Sequence, residues 1–184
     1  MRLFVAIDLD EHLKEKVLQV QKKLEQISKF ADLRLVERKN FHLTLKFLGE
    51  APDNSVTNIS ERLKSIANGT KPFKISISGL SFFTPSNIRV IFLDVKEGEE
   101  KIIGLEKTLN EKLKDIRKED YDSHPHLTIA RVGFVLDKNR LLEKLKEMEK
   151  VEIGEMEVKE IKLFRSELTG KGPVYTVVKN FNLG

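Results

Sequence analysis

The sequence predicts an α+β fold made of two related halves, and three observations carry that reading. The tripeptide His-Leu-Thr occurs twice, beginning at His42 and at His126, 84 residues apart. The segments around it repeat in one order: strand, helix, His-Leu-Thr strand, helix, strand. A chain of 184 residues is long enough for one sizeable core, or for two small lobes that share one. A single unit over residues 1–184 is therefore expected, with approximate repeats at 1–87 and 88–184.

Each element follows from periodicity. RLFVAID is a short apolar strand ending in acid, and from about Glu11 a helix sets Leu13, Val17, Val20, Leu24 and Ile27 on one stripe. The first His-Leu-Thr strand, FHLTLKFLGE, is followed by a helix that Pro52 and Asp53 start, with Val56, Ile59, Leu63 and Ile66 inward. FKISISGLSFF then alternates apolar and polar positions as a half-buried strand does. The second half opens with IRVIFLDV, again a strand ending in acid, and a helix bearing Ile102, Leu105, Leu109, Leu113 and Ile116. PHLTIARVGF is its motif strand, followed by a helix with Leu141, Leu145 and Met148. EIGEMEVKEIKLF reads as the closing alternating strand. Gly170, Gly172 and Pro173 then turn the chain into a last strand, VYTVVKNF.

Composition narrows the function. With no cysteine there are no disulfides and no thiolate metal sites. The opening apolar run, Leu3 to Ile7, is too short for the core of a signal peptide, and no later run approaches membrane length. A cytoplasmic protein with no membrane partner is expected. Lys and Arg number 33 against 29 Asp and Glu, a net charge of +4 that hints weakly at an anionic partner. No glycine-rich phosphate cradle is present.

In a strand, residues two apart share a face, so His42 and Thr44 point one way while Leu43, Leu45 and Phe47 point the other. His126 and Thr128 repeat the arrangement. Related by a pseudo-two-fold, the two strands would lie side by side or face each other across a cleft. Two imidazoles and two hydroxyls would then converge. Near neutrality one imidazole of such a pair can accept a proton while the other donates one, and the hydroxyls can hold non-bridging phosphate oxygens. That set suits metal-free reaction at a phosphodiester, with no cofactor. A rival is a zinc hydrolase in which His124 and His126, two apart, are joined by His42. Against it, Asn40 stands where His124 does in the second copy, and zinc gives the threonines no role. His12 reads as an ordinary helix residue.

With their flanks, MRLFVAIDL, RLVERKNFHLTLKFLGE and HPHLTIAR, these motifs resemble the two-histidine (2H) phosphoesterase superfamily over nearly the whole chain. The resemblance is to its RNA 2′,3′-cyclic phosphodiesterases, historically called 2′-5′ RNA ligases. It implies a bilobal fold, each lobe a mainly antiparallel sheet backed by helices, with both motifs on the floor of a groove. It also implies hydrolysis of an RNA 2′,3′-cyclic phosphate to a 2′-phosphate, with reversible 2′-5′ ligation as the companion reaction. The near-twin motifs leave open which histidine gives the proton. On the family pattern His42 would be the donor and His126 the acceptor, with Thr44 and Thr128 holding the phosphate. The expected partner is RNA with a 2′,3′-cyclic end, such as a tRNA half, met by a monomer. An RNA-binding protein without catalysis is the alternative from another class.

Further contacts are less determined. By alternation Lys46 shares the His42 face and could reach phosphate or solvent. Alternation puts Arg131 on the face opposite His126, unless a bulge turns it inward. Arg34, Arg165 and Lys171 are candidates for tracking an RNA backbone. Phe83 or Tyr121 could stack on a base, though core packing is the ordinary fate of such a phenylalanine.

Overall fold

Alternating apolar residues do form strands where expected, and the helical stripes form helices. The computed structural model describes residues 1–118, 123–170 and 172–184. The strands are β1 (Arg2–Asp8), β2 (Ala31–Leu35), β3 (His42–Glu50), β4 (Phe73–Phe82), β5 (Val90–Val95), β6 (His126–Val135), β7 (Glu152–Val158), β8 (Glu160–Thr169) and β9 (Gly172–Asn182). The helices are α1 (Glu11–Glu25), α2 (Val56–Asn68), α3 (Glu99–Lys112) and α4 (Lys138–Glu147). Their inward residues include Leu13, Val17, Val20 and Leu24 of α1 and Ile59, Leu63 and Ile66 of α2. In the second half they are Ile102, Leu105 and Leu109 of α3 and Leu141 and Leu145 of α4. No helix among the described residues is long and apolar enough to cross a membrane.

Two features depart from the expectation. EIGEMEVKEIKLF is two strands: β7 pairs with β4, the chain steps across at Lys159, and β8 pairs with β1. Burial slips phase here, from Met156 and Val158 to Ile161 and Leu163 across the polar pair Lys159 and Glu160, and that slip marks the division. β2 is an additional strand, five residues long with a half-exposed face, too short to declare itself by pattern.

All the strands form one antiparallel sheet in the order β7-β4-β5-β6-β3-β1-β8-β9, with β2 also on β6. The two motif strands are central neighbours, joined at Leu43 and Leu127. Around them the halves exchange parts. β1 pairs with β3 of its own half and with β8 of the other, and β5 likewise pairs with β6 and with β4. Helices α2 and α3 pack on the lobe of β3, β8 and β9, whereas α1 and α4 pack on the lobe of β2, β4, β6 and β7. Each lobe thus takes one helix from each half of the sequence.

Gly98 makes the entry to α3 possible. Its φ is +76°, and a Cβ there would run into the Lys74 carbonyl oxygen. Gly98→Ala is expected to cost roughly 1–3 kcal/mol, read as a lower denaturation midpoint at unchanged m-value.

Candidate active site

The register at the centre of the sheet sets the site. Leu43 opposes Leu127 in an antiparallel pair, so one residue either way places His42 across from Thr128 and Thr44 across from His126. The four side chains singled out by the repeat share one face, while Leu43 and Leu127 are buried behind it.

Both imidazoles are held in the same way. His42 Nδ1 lies 2.7 Å from the Asn40 carbonyl oxygen, and His126 Nδ1 lies 2.7 Å from that of His124. A carbonyl only accepts, so each Nδ1 must carry the hydrogen, and each Nε2 is left for chemistry. Thr44 Oγ1 is 3.1 Å from His42 Nε2 and donates to it in the neutral state. Rings flank each histidine edge-on: Tyr175 meets His42 at 5.2 Å between centroids, and Phe83 meets His126 at 5.1 Å.

Burial pushes both histidines below their ordinary value, and it is the largest cause in each case. The hydrogen bonds to Asn40 and His124 and the carboxylates of Asp8 and Asp94 work the other way, favouring the proton. These two acids pair directly opposite the histidines, Asp8 with His42 and Asp94 with His126. Asp8 is held by Lys14 and Lys162, each Nζ at 2.9 Å. Burial alone would raise its carboxyl, but the hydrogen bonds and charge of the two lysines outweigh it and hold Asp8 low. Asp94 takes Lys96 Nζ at 3.0 Å and His124 Nε2 at 3.0 Å. The sequence carried a signal for these acids, because both opening strands end in one.

A β-bulge in each motif strand overturns strict alternation. Leu45 is skipped between the pairs Ala6–Thr44 and Val5–Lys46, and Ile129 is skipped between Phe92–Thr128 and Ile91–Ala130. Beyond each bulge the faces swap. Arg131 therefore turns to the histidine side, where its charge acts on His42, His126 and Tyr175. Lys46 goes the other way: it is 2% exposed behind the sheet, its Nζ 2.7 Å from Asn110 Oδ1 on α3. It is no groove residue, and a buried ammonium needs such a partner. Phe47, expected behind the strand, stands 51% exposed on the groove side, its ring 6.2 Å from that of Phe4.

The remaining candidates divide. Arg34 lies on β2 directly opposite Arg131, on the same face. Arg165 pairs with Leu3, whose side chain is in the core, so it projects from the face away from the histidines and bonds Glu167 at 2.7 Å. Phe83 is 40% exposed against His126 rather than sunk in the core. His12 is exposed on α1. Tyr121 and Lys171 lie outside the described residues. His124 spends its Nε2 on Asp94, and among the described residues no three His, Asp or Glu side chains converge as metal ligands. The zinc alternative thus finds no ligand set here. Sequence reading missed Tyr175 and the tether of Asn40, whose Nδ2 donates to the Pro173 carbonyl at 3.3 Å and ties the His42 support to β9.

The arrangement can supply one neutral and one protonated Nε2, two hydroxyls and a guanidinium around a single anion. Comparison with known proteins points the same way. The sequence model described as LigT like Phosphoesterase matches twice, over residues 7–92 and 93–175. An RNA 2′,3′-cyclic phosphodiesterase of Methanocaldococcus jannaschii is 37% identical over 186 residues, covering 98% of this chain and 100% of its own. One from Methanothermobacter thermautotrophicus is 38% identical over 185 residues, covering 100% and 99%. Among solved structures, a protein of Thermus thermophilus superposes with a TM-score of 0.81 at 29% identity, covering 100% of this chain and 98% of that one. E. coli LigT complexed with 3′-AMP shares the fold, with a TM-score of 0.80 at 23% identity and coverage of 99% and 97%. With both halves matched by one family model and full-length relatives well above 30% identity, the chain belongs to the LigT-like phosphoesterase family.

Proposed function

We propose that this protein hydrolyses the 2′,3′-cyclic phosphate at the end of an RNA to a 2′-phosphate, without a metal. The observation that carries the reading is the pair of imidazoles on adjacent strands, each with Nδ1 pinned by a carbonyl and Nε2 turned to the groove, that of His42 beside the Thr44 hydroxyl. The names of the full-length relatives support the substrate.

In this reading His126 Nε2 takes a proton from water as the water oxygen bonds to phosphorus. His42 Nε2–H gives its proton to O3′ as the P–O3′ bond breaks in line. Thr44 is released from His42 Nε2 once that nitrogen is protonated, and it joins Thr128 in donating to the non-bridging oxygens. Arg131 faces the same charge. Solvent then returns one proton to His42 and removes one from His126. An RNA 5′-hydroxyl in place of water gives a 2′-5′ linkage by the same transfers. Fitting substrates are fragments such as tRNA halves, met in the cytoplasm by a monomer.

One proton must be present on the pair, and the free site resists it. The kcat/KM profile is therefore expected to be bell-shaped and centred on the acid side of the ordinary histidine value of 6.5. A bound phosphate monoanion favours the protonated form, so the kcat profile should lie at higher pH. Steady-state rates across pH with an RNA bearing a cyclic end check both statements, and a kcat/KM maximum well above 6.5 would contradict them.

A further inference from the structure

The bulge at Ile129 has an effect beyond exposing Arg131. Past it, β6 leaves β3 and pairs with β2, which sets Arg34 opposite Arg131. Residues so paired have Cβ atoms about 4.5–5.5 Å apart on one face, and like charges there are destabilising. Arg34 is 77% exposed, and among the described residues its one ion pair is to Asp32 at 3.4 Å. Among the described residues no carboxylate pairs with Arg131. Asp32 is itself seated, because its carboxylate occupies the space a Cβ at position 133 would take, and Gly133 leaves that space open. One carboxylate for two facing guanidiniums leaves a positive step leading away from the histidines.

The opposite arm of the groove is different in kind. At the position equivalent to Arg131 the first copy has Phe47, and Phe4, Phe164 and Tyr175 cluster beside it. On that arm Lys162 is engaged by Asp8 and Glu160, and Arg117 packs its guanidinium against Gly49. An anionic strand has its matching charge along β6 and β2.

We propose that Arg34 binds the phosphodiester immediately upstream of the cyclic end, one strand beyond Arg131, so that the enzyme prefers oligoribonucleotides to 2′,3′-cyclic mononucleotides. A planar guanidinium held by one carboxylate keeps free N–H donors for a phosphate. This inference rests on the placement of the cyclic phosphate between His42 and His126 given above.

The test compares kcat/KM for a dinucleotide and a mononucleotide, each ending in 2′,3′-cyclic phosphate, in the parent protein and in Arg34→Ala, Arg34→Lys and Arg34→Glu. Arg34→Ala should cut the preference for the dinucleotide about tenfold. Arg34→Lys should keep part of it, and Arg34→Glu should lose more. Proportional loss on both substrates, or no change in their ratio, would overturn the proposal. If the parent protein turned over neither substrate, the hydrolase reading would fail instead. Binding of a 3′-phosphorylated dinucleotide against the mononucleotide would then decide the role of Arg34, and equal affinities in all variants would overturn it.

Discussion

His42→Ala and His126→Ala are each expected to lower kcat by about three to four orders of magnitude, the upper range for losing a positioned general acid or base. The double variant should fall little further, because one imidazole without its partner completes only half of the proton transfer. The histidines are also packing residues. His42 lies 5.0 Å from the Phe4 ring and 5.2 Å from that of Tyr175, so truncation leaves a cavity as well as a missing base. His42→Asn and His126→Asn separate the two effects, since they keep a polar side chain of similar reach but cannot exchange a proton near neutrality. Comparable losses in alanine and asparagine variants, with unchanged thermal melting of the asparagine pair, are expected. Retention of a tenth or more of parental kcat by either asparagine variant would sink the assigned chemistry.

Arg131→Ala should have the next largest effect, for two separable reasons. A guanidinium aimed at phosphate oxygens is comparable to an oxyanion-hole donor, so kcat/KM should fall about 10²–10³-fold. The same charge disfavours protonation of His42 and His126, where it is one of the causes holding both low. Removing a nearby cation lets an imidazole keep its proton to higher pH. The kcat/KM bell of the variant should therefore shift upward relative to the parent. An arginine acting only from behind the strand would produce neither the shift nor a loss of that size. Arg131→Lys should restore more of the pH profile than of the rate, because an ammonium supplies charge without the fork.

Much of this site is written in the sequence, and what is not has a physical reason. A period of two places His42 with Thr44 and His126 with Thr128, and the repeat of that unit marks it as more than strand chemistry. The same rule fails three residues later. Neither Leu45 nor Ile129 differs from an ordinary strand residue, and the bulges arise only in pairing with β1 and β5. Hence Lys46, Phe47 and Arg131 all sit on the face opposite to the one alternation assigns. The acids were visible as strand ends, but their meaning depends on register, which sets Asp8 against His42 and Asp94 against His126. The exchange of β4 and β8 between halves has no local signature. Each closing strand looks alike whichever opening strand it joins, and the break in alternation at Lys159 and Glu160 does not say which neighbours the two strands take. Tyr175 reaches His42 by the same exchange, through β8 and β9.

The most direct test is the fate of a short RNA ending in 2′,3′-cyclic phosphate, incubated with purified protein in chelator and oxygen-18 water. The account predicts a terminal 2′-phosphate carrying one oxygen-18, formed by the parent protein and not detectably by His42→Asn or His126→Asn. A 3′-phosphate product would contradict the direction of O3′ departure. An RNA that is bound but returned unchanged would leave the protein a binding module.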